Sequence, residues 1–317
     1  MPSTPLAFVF PGQGSQAVAM GKQLANEYPT ARETFAEADS ALGYPLSQLC
    51  FEGPEDKLKL TEITQPAILT VSVAAQRVLN EKGISPQFVA GHSLGEYSAH
   101  VAAGTLNFQD AVRTVAKRGK YMQEAVPVGV GAMAAVLALA LEPLEEACRQ
   151  AAQETGGTVS PANINSPDQI VISGSKSAVE RAAELAKEKG AKRAVMLPVS
   201  APFHCALMQP AQDRLAVDLR ALNFSTPKTR VVTNVDAKPI QDPLQARDAL
   251  IRQVTGAVQW VRSIQALISS GVQIFVEVGP GKVLTGLLRQ IDRSKTGLNV
   301  ENEDSLQKTL AALAAAA

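Results

Sequence analysis

The stretch Gly91-His92-Ser93-Leu94-Gly95 carries the strongest chemical signal in the chain. It follows the apolar run Phe88-Val89-Ala90 and leads into Glu96-Tyr97-Ser98-Ala99-His100-Val101-Ala102-Ala103, a pattern that reads as strand, sharp turn and helix. In such a G-x-S-x-G turn the glycines let the backbone pass closely and the serine hydroxyl is lifted onto a strained corner, which makes Ser93 the candidate nucleophile. A serine hydroxyl attacks only when a base removes its proton, and the sequence holds three histidines. His92 neighbours Ser93 in the turn and should point away from it. His100 lies about two turns, roughly 10 Å, along the same helix. His204, in the irregular segment Ser200-Ala201-Pro202-Phe203-His204-Cys205, is the base by elimination. Cys205 beside it reads as a small core residue.

No histidine follows His204, and the acids shortly before it, Glu184 and Glu188, fall on a helix of a separate unit. The late Asp-His pair of a serine hydrolase or thioesterase is therefore missing. A backbone carbonyl can orient the imidazole instead, because Nδ1–H needs only an acceptor. That arrangement suits an acyl intermediate that waits for a second substrate.

The elements that must position these groups belong to a chain of 317 residues, 46% of them hydrophobic. A chain of this size buries roughly 75% of its unfolded surface without disulfide or metal. Thirty basic and thirty acidic residues balance, which argues against a nucleic-acid or anionic-membrane surface over the whole molecule. Cys50, Cys148 and Cys205 are scattered and lack C-x-x-C spacing, so neither a disulfide framework nor a zinc site is expected, and the compartment reads as reducing and cytoplasmic. Met1-Pro2-Ser3-Thr4-Pro5 and the short apolar run after it do not form a signal segment or membrane span.

Residues 6–10 read as a buried strand running into Pro11-Gly12-Gln13-Gly14-Ser15-Gln16, whose glycine spacing is not that of a phosphate-binding loop. Residues 30–80 read as helices, with Gln65-Pro66 marking a break and an apolar helix at 68–79 packed beneath the Ser93 strand. Residues 128–200 change character, in the order β-α-β-β-α-β of an inserted ferredoxin-like subdomain. The large domain, 1–127 and 201–317, resumes with strands at 231–235 and, last, 273–278, then a polar tail and a terminal helix over 305–317. Strands alternating with helices imply an α/β fold around a mostly parallel sheet.

Six segments together resemble the malonyl-CoA:acyl carrier protein transacylase family: Phe10-Pro11-Gly12-Gln13-Gly14-Ser15-Gln16, Gly91-His92-Ser93-Leu94-Gly95-Glu96, Arg118, Asn163-Ile164-Asn165-Ser166-Pro167, Phe203-His204 and Glu277-Val278-Gly279-Pro280-Gly281. The resemblance spans Ala7 to about Gln290 and implies an α/β-hydrolase-like core with the ferredoxin-like insert. It implies Ser93 as acyl nucleophile, His204 as general base and then acid, and the backbone N–H groups of Gln13 and Leu94 as oxyanion hole. Arg118 would clamp the malonyl carboxylate, Gln253 would supply the carbonyl that orients the histidine, Gln65 would line the pocket, and Phe203 would narrow it against an α-methyl branch. Ala19 departs from the family's usual glycine without touching a chemical role. The implied reaction is a ping-pong malonyl transfer from malonyl-CoA to the phosphopantetheine thiol of holo acyl carrier protein, serving fatty acid rather than polyketide assembly. No metal or cofactor is implied beyond CoA as substrate, and no nucleic-acid or membrane partner. Lys187, Lys189, Lys192 and Arg193 could meet an acidic carrier protein.

Overall fold

The computed structural model describes residues 5–199 and 201–316. Met1 to Thr4, Ser200 at the expected subdomain boundary and Ala317 at the end of the expected terminal helix lie outside the described residues. The chain opens with β1 (Leu6–Phe10), then α1 (Lys22–Glu27), α2 (Pro29–Leu42), α3 (Leu46–Glu52), α4 (Glu55–Leu58) and α5 (Thr61–Glu81). β2 (Phe88–Gly91), α6 (Gly95–Ala102) and α7 (Phe108–Glu124) follow. A second group comprises β3 (Gly131–Leu137), α8 (Leu141–Thr155), β4 (Val159–Ser166), β5 (Gln169–Ser175), α9 (Lys176–Glu188) and β6 (Arg193–Met196). The remainder is α10 (Gln209–Ala221), β7 (Arg230–Val232), β8 (Pro239–Ile240), α11 (Pro243–Arg252), α12 (Trp260–Ser269), β9 (Ile274–Val278), α13 (Val283–Ile291), β10 (Thr296–Val300) and α14 (Glu303–Ala315).

The larger sheet has the order β10-β9-β1-β2-β7-β8, parallel throughout except for β8. Its central strands are apolar on both faces because helices cover both. Side chains alternate across a strand, so Leu6, Phe8 and Phe10 join the core formed with α2, α5, α6 and α7, while Ala7 and Val9 meet Trp260, Ile264 and Leu287 from α12 and α13. The smaller sheet is antiparallel, in the order β4-β5-β3-β6, and α8 and α9 cover the face that carries Ala134, Val136, Ile170 and Ile172. Backbone bonds from Ile164 N to Val258 O (2.9 Å) and from Val258 N to Ala162 O (2.8 Å) tie β4 to the segment before α12.

Three expectations need correction. Gln65-Pro66 does not break the helix: α5 runs through Pro66, whose missing N–H is tolerated because α2 and α7 bury this part of the helix. That helix lies against α2, α6 and α7 and shares its buried cluster with Val89 of β2. The strand expected over 231–235 ends at Val232, since Asn234 turns its side chain to the serine elbow. The strand at β9 is not the last: the polar tail contains β10, an edge strand parallel to β9 whose residues are mostly half-exposed, so its apolar signal is weak.

Candidate active site

Parallel strands β1 and β2 end side by side, and the turn after each builds the site. Gly91 and Gly95 are required by close approach: a Cβ on Gly91 would sit 1.9 Å from the Gly95 carbonyl carbon, and one on Gly95 would sit 2.1 Å from Phe10 O. The tight crossing leaves Ser93 at φ 51°, a left-handed conformation that costs a non-glycine residue about 1–2 kcal/mol. Two side chains hold it there. Asn234 accepts from Ser93 N at 2.7 Å and donates to Gly91 O at 2.6 Å, and Gln253 Nε2 donates to Ser93 O at 2.8 Å.

His204, also left-handed at φ 59°, is buried and meets Ser93 Oγ through Nε2 at 2.7 Å. Its Nδ1 faces two carbonyl oxygens, Gln253 O at 2.9 Å and Gly256 O at 3.2 Å. Carbonyls only accept, so Nδ1 carries the proton and Nε2 keeps the lone pair that receives the serine proton. Burial, then the nearby Arg118 charge, pushes His204 down to about 3, so the imidazole is neutral in the resting site.

Arg118 projects from α7 and is almost wholly buried. Its Nη1 donates to Gln65 Oε1 (2.8 Å), and its Nη2 donates to Gln253 Oε1 (2.8 Å) and to Ser93 Oγ (3.2 Å). Nε has no partner among the described residues. Burial lowers the guanidinium's pKa from its ordinary value. A buried cation lying at the elbow serine and hydrogen-bonded, among the described residues, to neutral groups alone is a place for an anion.

The loop after β1 is pressed against the elbow, since a Cβ on Gly12 would lie 2.4 Å from His92 O. Among the described residues, the backbone N–H groups of Gln13 and of Leu94, the N-cap of α6, are bonded to no acceptor. Both are free to receive an oxyanion.

Ser93, His204, Arg118, Gln65 and both features of Gln253 thus converge. Phe203 is half-buried between the core of the large unit and the Met133–Val171 cluster of the small sheet. His92 turns to Asn165 Oδ1 (2.7 Å) and Trp260, and His100 sits behind the elbow. Glu277 caps α13 through Leu284 N and Thr285 N and does not enter the site. The thiol of Cys205 donates to Pro202 O and is raised by burial, as a core residue should be. Lys189 pairs with Glu146, while Lys187, Lys192 and Arg193 are exposed. Sequence reasoning missed Asn234, Glu96 and the side chain of Gln253. The available signal was a polar Thr233-Asn234 pair following an apolar strand at the sheet edge where ligands bind.

No helix among the described residues is long and apolar enough to cross a membrane, and none of their His, Cys, Asp and Glu side chains group as a metal site.

A neutral histidine on an elbow serine, with two free amides and a buried guanidinium, is an arrangement that can activate the serine hydroxyl toward a carbonyl carbon. The family model for the acyl transferase domain matches residues 7–309. The malonyl CoA-acyl carrier protein transacylase of Salmonella typhimurium is 52% identical over 308 residues, covering 97% of this chain and 99% of its own. The crystal structure of an acyl carrier protein S-malonyltransferase from Vibrio cholerae matches with a TM-score of 0.94 at 49% identity, over 96% of this chain and 100% of its own. A type II polyketide acyl-carrier protein in complex with its malonyl-transacylase matches with a TM-score of 0.94 at 48% identity, over 98% of this chain and 100% of that one. The chain belongs to the malonyl-CoA:acyl carrier protein transacylase family. It is an acyltransferase with the α/β fold and mostly parallel sheet of these relatives.

Proposed function

We propose that the protein transfers malonyl from malonyl-CoA to the phosphopantetheine thiol of holo acyl carrier protein by a ping-pong route through a malonyl ester on Ser93. The observation that carries this reading is Arg118, a buried guanidinium within 3.2 Å of Ser93 Oγ that, among the described residues, faces no carboxylate within hydrogen-bond reach. A malonyl thioester brings that carboxylate. Ser93 Oγ attacks the thioester carbonyl as Nε2 of His204 takes its proton, the oxyanion lies between the amides of Gln13 and Leu94, and the C–S bond breaks as the proton passes to CoA sulfur. The thiol of the carrier arm then repeats the steps in reverse. Burial first, and the Arg118 charge second, disfavour protonated His204, and pairing of the malonyl carboxylate with Arg118 removes the second of these and so eases the turn from base to acid.

Gln65 and Gln253 hold Arg118, the Gln253 carbonyl orients His204, and Phe203 borders the acyl pocket. In this reading residues 1–127 and 201–317 form the α/β-hydrolase-like catalytic domain and 128–200 a ferredoxin-like subdomain, whose strand order β4-β5-β3-β6 supports the label. The exposed cations Lys187, Lys192 and Arg193 offer an acidic carrier protein a landing face. The product serves as extender unit for fatty acid biosynthesis in the cytoplasm, and no metal or cofactor takes part. A hydrolase reading is disfavoured because carbonyl oxygens, not a carboxylate, orient His204.

Initial rates with malonyl-CoA and holo carrier protein both varied should give parallel double-reciprocal lines. Intersecting lines would mean a ternary complex and remove the ping-pong route. Since kcat/KM reports the free enzyme and the depressed pKa keeps His204 unprotonated above its own low value, kcat/KM for malonyl-CoA should be flat from about pH 5 to 8. An acid limb with its midpoint near the ordinary histidine value would contradict a neutral, desolvated base.

A further inference from the structure

Glu96, on the first turn of α6, is fully buried and touches neither reacting side chain. Its Oε2 accepts from Asn234 N at 3.0 Å and from Gln253 Nε2 at 2.8 Å. Its Oε1 has no hydrogen-bond partner among the described residues; His100 Nε2 lies 3.8 Å away, beyond hydrogen-bond reach. Gln253 turns the other end of the same amide to Arg118, whose Nη2 donates to Oε1 at 2.8 Å. A carboxylate only accepts and a guanidinium only donates, so one orientation of the Gln253 amide satisfies both. The result is a continuous line: carboxylate, amide N–H, amide C=O, guanidinium.

We propose that Glu96 is the countercharge of the resting site, a positioning residue that acts through Gln253 to offset the buried charge of Arg118 and keep it aimed at Ser93 until a substrate carboxylate arrives. The inference rests on the reading of Arg118 as the malonyl clamp. Burying an isolated guanidinium is costly, and among the described residues that hydrogen-bond to Arg118 through their side chains, none but Gln253 continues to an anionic group. The negative charge of Glu96 counters the effect of burial on Arg118. It also moderates the pull of Arg118 on malonyl. A transferase must release the group it has captured, and ground-state affinity in excess of need slows that release.

The decisive variant is Glu96→Gln, which keeps the side-chain volume and an oxygen acceptor for Asn234 N and Gln253 Nε2 while removing the charge. Loss of a purely structural anchor weakens substrate binding; loss of a countercharge tightens it. The half-saturating malonyl-CoA concentration of single-turnover acylation is therefore expected to fall on the order of tenfold, with acetyl-CoA changed less than about twofold, because only malonyl carries the charge that Arg118 meets. Glu96→Asp keeps the charge and displaces the hydrogen bonds, so it should not tighten malonyl-CoA. In Arg118→Ala the Glu96→Gln effect should vanish. A malonyl-CoA value unchanged or raised in Glu96→Gln, or lowered equally in Glu96→Asp, overturns the countercharge. If Arg118→Ala alone keeps the preference for malonyl over acetyl, the clamp reading itself falls; if it loses that preference while Glu96→Gln is silent, only the inference about Glu96 falls.

Discussion

His204→Ala is expected to retain no more than about one part in 10³ of wild-type kcat, the middle of the range of about 10²- to 10⁴-fold that a positioned general base contributes. Ser93 Oγ keeps only its contact with Arg118 Nη2 at 3.2 Å once the imidazole at 2.7 Å is gone, and a cation cannot accept its proton. The loss should appear equally with malonyl and acetyl donors, because the base acts on the serine rather than on the acyl tail. His204→Gln tests the same point with better packing, since its amide can fill part of the buried space but cannot cycle a proton. Stopped-flow acylation with both variants checks this. Activity within tenfold of wild type would mean that another group takes the proton.

Arg118→Ala should lower kcat/KM for malonyl-CoA by about 10²- to 10⁴-fold, the effect of removing one partner from a buried charge pair worth about 3–5 kcal/mol. Acetyl-CoA should change by less than about tenfold, since its methyl group gains nothing from the guanidinium and loses a desolvated cation as neighbour. The same variant strands Gln65 Oε1 and Gln253 Oε1 without their donor, so Arg118→Lys is the useful companion. A lysine restores the charge but offers a point donor where the guanidinium offers a planar fork, and it should recover only part of the malonyl rate. Equal losses for both acyl groups would contradict the clamp.

What could be read from the sequence follows from how rare each signal is. Ser93 lies between glycines that cannot be replaced, and only three histidines compete to serve it, so the pairing of Ser93 with His204 could be argued from spacing and elimination. Apolar residues at helical spacing over two or more turns put helices at 110–125, 142–155, 177–189 and 283–291, within two residues of the bounds of α7, α8, α9 and α13. The hub of Glu96, Asn234 and Gln253 was not legible. Its three polar side chains come from α6, the turn after β7 and the C-cap of α11, and their shared role exists only once the sheet brings those ends together. Strand β10 was lost for a different reason: Thr296-Gly297-Leu298-Asn299-Val300 is an edge segment that pairs on one side only, so it needs little apolar character. Pro66 misled because a local rule was outweighed by the burial of α5 among its neighbours.

The most direct test of the central claim is intact-protein mass spectrometry after brief exposure to malonyl-CoA without carrier protein, on wild type and Ser93→Ala. The expected result is a single malonyl adduct on wild type, absent from Ser93→Ala, stable in water and discharged when holo carrier protein is added. An adduct that survives the loss of Ser93, or one that decays to free malonate before any thiol is supplied, would contradict a serine-borne malonyl transfer.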